Sequence, residues 1–256
     1  MRVARDTVWM VLRQLRNLMR EPIWIALMVI QPLVWLLLYG QLFSRVGALR
    51  GGANSYIEFL APGIICMNAF FGGSWAGMAM IADLNRHVID RFLAAPVSRF
   101  AIVFSQVVRA GMIAVFQALL LLLVGLGLGV RVHGGALGWL VVFGASGLLA
   151  MAFAGFSHGI ALLVRKEASM IATANFVGLP LMFISAILIP PRQMPNWIAQ
   201  LSRFNPVNWG VHAARNAVLA GGHWGASGVY LLLLLAATAA TSLFATWCFR
   251  AYQRSI

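Results

Sequence analysis

Charged residues are scarce in this chain, and their scarcity excludes most soluble folds. Only 10% of the 256 residues are charged and 61% are hydrophobic, whereas a soluble domain carries about 25% charged residues. Acidic residues number only six. A water-soluble globular domain is therefore excluded, and the lipid bilayer is the expected solvent for most of the chain.

Lysine is almost absent, which excludes one kind of nucleotide site. Lys166 is the only lysine, and it follows Arg165 instead of a glycine. A phosphate-binding P-loop needs Gly-Lys followed by Ser or Thr. The chain therefore cannot form an ATPase site of that kind, and any work driven by ATP would need another subunit.

Cysteine and clustered histidine are lacking too. Cys66 and Cys248 both fall inside apolar segments, so we expect small buried thiols and no structural disulfide. The five histidines are scattered, without a His-x-x-x-His pair or a nearby Cys-x-x-Cys. We therefore expect neither a metal site nor a cofactor in this chain.

The net charge is strongly positive, with 19 basic residues against 6 acidic ones and a formal charge of +13. In a soluble protein this balance would suggest nucleic acid as a partner. Here the arginines lie mostly between apolar segments, where they would orient the protein and contact anionic lipid headgroups. We therefore expect membrane lipids as partners and no nucleic acid.

Six apolar segments are long enough to cross a bilayer, which takes about 20 helical residues. The predicted spans are residues 22–43, 59–82, 101–130, 137–164, 168–189 and 228–249. Residues 1–20 place basic and apolar groups on different helical faces, which predicts an interfacial amphipathic helix. Residues 190–227 are rich in tryptophan and proline, which indicates short re-entrant or interfacial helices packed against protein, on the extracytoplasmic side. The predicted fold class is an all-α integral membrane protein with six transmembrane helices, in one domain over residues 1–256.

Six spans would place both termini on one side of the membrane. That side would hold twelve of the nineteen Arg and Lys residues, the opposite side six, and Arg109 lies within a span. By the positive-inside rule, the side with more basic residues is cytoplasmic. The sequence therefore predicts a multi-pass protein of the cell membrane, inner or plasma, with both termini in the cytoplasm.

A dense polar cluster lies between the second and third predicted spans. Leu84, Val88 and Phe92 recur every four residues, with charged side chains on the other face, and Pro96 disfavours a further turn. This pattern predicts a short cytoplasmic helix over residues 83–95. It could lie on the membrane surface, dock in a groove of a partner, or form a solvated loop whose charges only fix the topology. The charged members of this region are Asp83, Arg86, His87, Asp90, Arg91 and Arg99.

Four polar residues within spans or at their mouths are candidates for lining a path: Gln31, Glu58, Arg109 and Asn175. Gln31 is expected to face protein and not lipid. Arg109 could extend to the cytoplasmic end of its span or pair in the interior. Glu58 opens the second span, where a carboxylate suits a helix N-terminus.

Two other classes of function remain open at this point. Gly144-Ala145-Ser146-Gly147 resembles the Gly-x-Ser-Gly of rhomboid intramembrane proteases, which need a histidine base on another span. His158, however, lies on the same predicted helix as Ser146. An ATP-independent secondary carrier would use intramembrane acids, and all six acidic residues lie at span ends or in loops.

With this topology, the chain resembles the membrane subunit of ABC-2 type transporters, particularly the daunorubicin-resistance-type permeases. The resemblance covers nearly the whole length and rests on several pieces in a fixed order. These are the basic N-terminal helix, Gln31-Pro32, the Tyr-Ile-Glu-Phe-Leu-Ala-Pro-Gly of residues 56–63, the charged stretch 83–99 and Asn205-Pro206-Val207.

The resemblance implies a permease subunit without catalytic residues of its own, which exports a hydrophobic or amphipathic substrate such as a drug, a lipid or a lipid-linked glycan. It implies pairing with a second copy or a paralogous permease. It also implies two cytoplasmic ABC ATPase subunits, which would bind ATP and Mg²⁺. The helix over 83–95 would be the coupling helix that contacts the ATPase, chiefly through Arg86, Asp90 and Arg91. Residues 190–227 would cover the exit.

Overall fold

The computed structural model describes residue 9 and residues 22–86, 99–219 and 224–253. Within these ranges the regular structure is helical, without a strand. The α-helices are α1 (Pro22–Leu42), α2 (Tyr56–Trp75), α3 (Gly77–Asn85), α4 (Arg99–Gly127), α5 (Gly135–Val164), α6 (Glu167–Phe183), α7 (Asn196–Ser202), α8 (Pro206–Leu219) and α9 (Trp224–Gln253). Short 3-10 helices lie at Gly47–Arg50 and Pro191–Gln193.

Four helical stretches of the described residues are long and apolar enough to cross a membrane: Tyr56–Asn85, Phe100–Gly127, Gly135–Val164 and Trp224–Gln253. They correspond to the predicted spans two, three, four and six. The stretches Val29–Leu42 and Glu167–Phe183 are apolar but shorter. The all-helical membrane fold is therefore confirmed, whereas the count of six spans stays a prediction.

Three predicted boundaries are wrong. The second span is longer than 59–82 and consists of two helices, α2 and α3, with Ala76 as a turn between them. The fifth span does not reach Ile189, because α6 ends at Phe183 and residues 184–190 are irregular. Polar side chains of other segments bind backbone groups of that irregular stretch, which is how non-helical chain is tolerated among apolar helices.

The third wrong boundary concerns the charged helix predicted over residues 83–95. Asp83 belongs to the last turn of α3, and Arg86 follows the end of that helix. A separate helix therefore does not begin at Asp83. Residues 87–98 lie outside the described residues, and so does the interfacial helix predicted over residues 1–20 apart from Trp9, which is helical and exposed.

Helix α5 lies at the centre of the bundle, where it packs against α2, α4, α8 and α9. Glycine permits the close approach of α2, because a Cβ at Gly73 would overlap the carbonyl oxygen of Ala150 in α5. Contact between α5 and α9 depends in the same way on Gly155, where a Cβ would lie 2.7 Å from Thr241 Oγ1. Small residues at such crossings are typical of helices that pack within a membrane.

Helix α8 packs inside the bundle and not over its end. At its middle, a Cβ on Gly210 would lie 3.1 Å from Leu149 in α5 and 3.6 Å from Cys66 in α2. Its last turn meets the chain just before α5, where Gly134 N–H donates to Ala217 O and His133 N–H donates to Val218 O. Since Leu149 lies about 21 Å along α5 from its first residue, α8 runs from mid-bundle to one end.

Both cysteines are free and buried, as predicted.

Candidate functional site

A small cleft, with an enclosed volume of about 20 Å³, lies between α2, α5 and α6. Most of its wall is apolar, and it includes Phe70, Phe153, Phe156, Ile160, Met170 and Val177. Three hydroxyl side chains, Ser74, Ser157 and Thr173, interrupt this wall. The enclosed space has room for little more than one water molecule, so the cleft offers an apolar surface with a few hydroxyls and not a ready-made ligand pocket.

The hydroxyl groups of the cleft bond to backbone. Ser74 Oγ donates to Phe70 O over 2.8 Å, and Thr173 Oγ1 donates to Ser169 O over 2.8 Å, each within its own helix. Ser157 Oγ instead reaches across to α2 and donates to Ser74 O over 2.6 Å. This cleft could not be predicted from the sequence, because apolar periodicity does not show which buried faces leave a gap.

Two of the predicted coupling residues lie together where α3 ends. Asp83 accepts a long hydrogen bond of 3.4 Å from Gln106 Nε2 of α4, and Arg86 is exposed just beyond the helix. Arg99 is the first residue of α4. The structure thus describes the residues at both ends of the charged stretch, whereas His87, Asp90 and Arg91 lie outside the described residues.

The predicted path residues do not meet at one place. Gln31 is exposed on α1 in the single chain, so the expectation that it faces protein stays a prediction. The exposure results from the register of α1, whose buried face is formed by Val29, Pro32 and Leu36 and leaves Gln31 to one side. Asn175 is likewise exposed on α6, and Arg109 is partly buried on α4, where its Nε has no hydrogen-bond partner among the described residues.

Glu58 lies in the first turn of α2 and is almost completely buried. Ser55 caps the helix by accepting from Glu58 N–H, while the Glu58 carboxylate accepts from Asn54 N–H over 3.0 Å. This is close to the reciprocal capping box of helix N-termini. His133 Nδ1 lies 3.7 Å from the other carboxylate oxygen. That oxygen has no hydrogen-bond partner among the described residues, and His133 Nδ1 lies nearer to Val218 O, at 3.0 Å.

Sequence reasoning missed a set of polar residues that hold the irregular stretch 184–190 against the bundle. Asn208 Oδ1 accepts from Ala186 N–H, and Asn205 Nδ2 donates to Leu181 O. Arg215 donates from Nη2 to Ile187 O and from Nε to Phe59 O, each over 3.3 Å. The missed signal was the spacing of Asn205, Asn208 and Arg215, which puts them on one helical face. Arg215 had been one of the six basic residues counted on the side opposite the termini.

The rhomboid-like motif does not form a catalytic pair with His158. Ser146 and His158 lie twelve residues apart on α5, which is about 18 Å along the axis. The Ser146 hydroxyl instead donates to Phe143 O within its own helix over 3.1 Å. A serine protease requires a base within hydrogen-bond reach of its nucleophile. His158 therefore cannot serve as the base for Ser146.

Comparison with known proteins gives a family match over most of the chain. The family model for the ABC-2 type transporter matches residues 5–219. This range covers every described helix except α9. It includes the charged stretch, the cleft and the segment that packs inside the bundle.

Individual relatives agree with that match. A putative transport permease, ycf38, of Cyanophora paradoxa is 32% identical over 201 residues, which is 78% of this chain and 69% of the relative. The daunorubicin resistance ABC transporter permease protein DrrB1 of Streptomyces coeruleorubidus is 26% identical over 238 residues, 91% of this chain and 80% of the relative. These two relatives are named as permeases and not as ATPases. With the apolar helices described above, this shows that the chain is a multi-pass membrane transport permease, and it belongs to the ABC-2 type transporter family.

Proposed function

We propose that this chain is the membrane-spanning subunit of an ATP-driven ABC exporter for hydrophobic or amphipathic substrates. One observation carries the proposal furthest: the helical course Tyr56–Asn85 passes the cleft at Ser74 and ends beside the charged stretch. This helical course thus connects a candidate substrate surface with a candidate contact for a driving subunit. Movement applied at Asn85 would reach Ser74 through the turn at Ala76, because the packed interior deforms little.

The proposed topology has six crossings, with α1 and α6 as the first and fifth spans and both termini in the cytoplasm. It is supported by the excess of basic residues on the side of the termini. In this topology the junction at Arg86 faces the cytoplasm, and α8 is a re-entrant helix on the outer half. The polar contacts of Asn205, Asn208 and Arg215 support this, since backbone within the bilayer needs protein partners.

The energy would come from two copies of a separate ABC ATPase, which bind ATP and Mg²⁺. ATP binding there would move the segment over residues 83–95, and a path would open between this chain and a second permease copy, identical or paralogous. A ligand shifts an equilibrium only by its different affinity for the two states. The contact at the charged stretch is therefore the point where the free energy of ATP binding and hydrolysis would act on the permease.

The cargo class is proposed from the cleft and from the name of one relative. The aromatic and aliphatic wall suits contact with a flat or chain-like apolar group. The cleft would have to widen to admit such a group, since its enclosed volume is about 20 Å³. Daunorubicin, after which the Streptomyces relative is named, is a molecule of this type and the first cargo to test. A fluorescent phospholipid would test lipid as the alternative cargo.

Replacing Asp90 and Arg91 together by alanine tests the proposed coupling. We expect the double variant, assembled with its cognate ATPase in proteoliposomes, to hydrolyse ATP while export per ATP falls by about tenfold, since losing a charged contact costs about 1.5–3 kcal/mol. The matched control is Lys166→Ala with Glu167→Ala, an adjacent exposed basic and acidic pair, which should export normally.

Full export by a stably inserted Asp90→Ala, Arg91→Ala chain would refute the coupling role. Transport by the chain alone under an ion gradient would favour an ATP-independent carrier.

A further inference from the structure

The helical course from Tyr56 to Asn85 contains a joint that is closed by a side chain from another helix. Around Ala76 the backbone bonds span three residues instead of four: Ala76 N–H donates to Gly73 O, and Ala79 N–H donates to Ala76 O. Bonds of this 3-10 type within an α-helix often mark a hinge. The joint separates α2, which is embedded in the bundle, from the nine residues of α3.

Ser157 of α5 enters this joint. Its hydroxyl donates to Ser74 O over 2.6 Å and accepts from Gly77 N–H over 2.9 Å. In a regular α-helix, Ser74 O would pair with the amide four residues on, and Gly77 N–H with the carbonyl four residues back. A side chain inserted into this ladder is one of the few identifiable causes of a helix bend.

The fit between the two helices leaves little freedom at this point. Ser157 is 2% exposed, and a Cβ at Gly77 would lie 2.6 Å from both Ser157 O and Ser157 Oγ. Glycine at position 77 is therefore required for the serine to reach the backbone. The two residues form one contact, and a change in either should disturb it.

The same serine belongs to the wall of the cleft. Ser74 and Ser157 both line it, beside Phe70 and Phe153. A rotation of α3 about the joint would move Ser74 O and Gly77 N relative to Ser157, and thus displace this part of the wall. The joint therefore links the direction of α3 to the shape of the cleft.

We propose that Ser157 is a positioning residue, whose hydroxyl closes the joint between α2 and α3 and so sets the angle at which α3 leaves the bundle. The effect of this angle on transport rests on the proposed function, because α3 leads into the stretch proposed to contact the ATPase. The angle itself is a property of this chain alone. It can be measured without the ATPase and without knowing the cargo.

The experiment measures the distance between nitroxide labels at Asn85→Cys and Lys166→Cys, both exposed positions, in the full chain in lipid nanodiscs. Ser157→Ala should broaden or shift the distance distribution, because removing each hydrogen bond changes the balance of bent and straight forms by about fivefold. Ser157→Thr, which keeps the hydroxyl but adds a methyl group, should change the distribution less than Ser157→Ala does. The matched control is Ser146→Ala, a buried serine on the same helix whose hydroxyl bonds only to its own helix, and it should leave the distribution unchanged.

Gly77→Ala provides a second test from the other side of the contact and covers the case in which Ser157→Ala does not fold. It should produce a similar broadening, because the new methyl group displaces the serine. Distributions for Ser157→Ala and Gly77→Ala that coincide with that of the unmodified chain would overturn the inference. Adding the cognate ATPase with a non-hydrolysable ATP analogue then tests the proposed function separately. If the unmodified chain shows no shift on this addition, the coupling assignment fails while the role of Ser157 stands on the first measurement.

Discussion

Arg215 shows at the scale of a single residue how this bundle accommodates a buried cation. Its side chain is 7% exposed, and its guanidinium carbon lies 3.7 Å from the centre of the Phe59 ring. The ring face and two backbone carbonyls, those of Phe59 and Ile187, are its partners among the described residues. The planar guanidinium can donate to both carbonyls and stack on the ring at once, which an ammonium group cannot do.

Arg215→Lys is expected to weaken the attachment of residues 184–190 to the bundle. The lysine keeps the charge but loses the stacking and at least one hydrogen bond, which should cost about 1–3 kcal/mol. Thermal unfolding of the purified chain in detergent should show a melting temperature lower by about 2–8 °C. Arg192→Lys, an exposed position next to the same segment, is the control and should melt as the unmodified chain does. Equal melting temperatures for both variants would contradict the structural role of Arg215.

Much of the polar chemistry at this scale could not be predicted from the sequence. Glu58 was predicted at a helix N-terminus, and the cap at Ser55 is a local pattern of neighbouring residues. Arg215, in contrast, bonds to backbone groups 156 and 28 residues away. No short-range pattern shows that an arginine finds carbonyls at such distances along the chain.

At the scale of helices, α2 and α5 show how glycine sets the distance between elements. Gly73 faces the carbonyl of Ala150, whereas the adjacent Gly72 is exposed, and a Cβ there would meet nothing within 4 Å. Two neighbouring glycines thus have opposite surroundings. Only one of them is required by close packing.

Gly73→Val should push α2 away from α5 and destabilise the bundle, while Gly72→Val should not. A side chain at residue 73 would meet backbone, which cannot give way, so we expect a loss of about 3 kcal/mol or more. The measurement is the fraction of monodisperse protein in size-exclusion chromatography together with the melting temperature. If the two valine variants behave alike, the close packing of α2 on α5 at this level is wrong.

The sequence predicted the positions of the long helices well, since apolar runs between charged residues are local features. It placed the ends of α3 and α6 wrongly. Asp83 stays within α3, which continues span two beyond its apolar core, and α6 stops at Phe183, before an irregular stretch whose backbone binds to Asn208 and Arg215. Helix ends depend on where partners for the free backbone groups are available, and here those partners come from distant segments.

At the scale of the whole molecule, α6 is the shortest of the proposed membrane crossings. Its 17 residues span about 25 Å as a helix, somewhat less than the hydrocarbon thickness of about 30 Å. Segments that are too short are accommodated by thinning of the bilayer or by pairing with other helices. Phe176, 83% exposed on this helix, faces away from the single chain, where lipid or a second copy would cover it.

Cysteine labelling from one side of the membrane tests the crossing. In right-side-out spheroplasts, a membrane-impermeant maleimide should label Arg192→Cys directly and Lys166→Cys only after permeabilisation, because the two residues flank α6 on opposite sides. Arg45→Cys, exposed in the loop between α1 and α2 and outside in the proposed topology, serves as the outer reference. The native thiols are buried and should react little. Labelling of residues 166 and 192 from the same side would show that α6 does not cross.

The sequence alone determined the solvent, the helical class and the four long membrane helices, because each depends on composition or on patterns within one segment. The family followed from several motifs in a fixed order along the chain. The tertiary structure decided which polar residues are buried, where the cleft lies and which glycines are required. It also showed that Ser157 enters the ladder of another helix 80 residues away in sequence. The physical reason is that desolvation and hydrogen bonding depend on what surrounds a group in space, and helices distant in the sequence supply those surroundings.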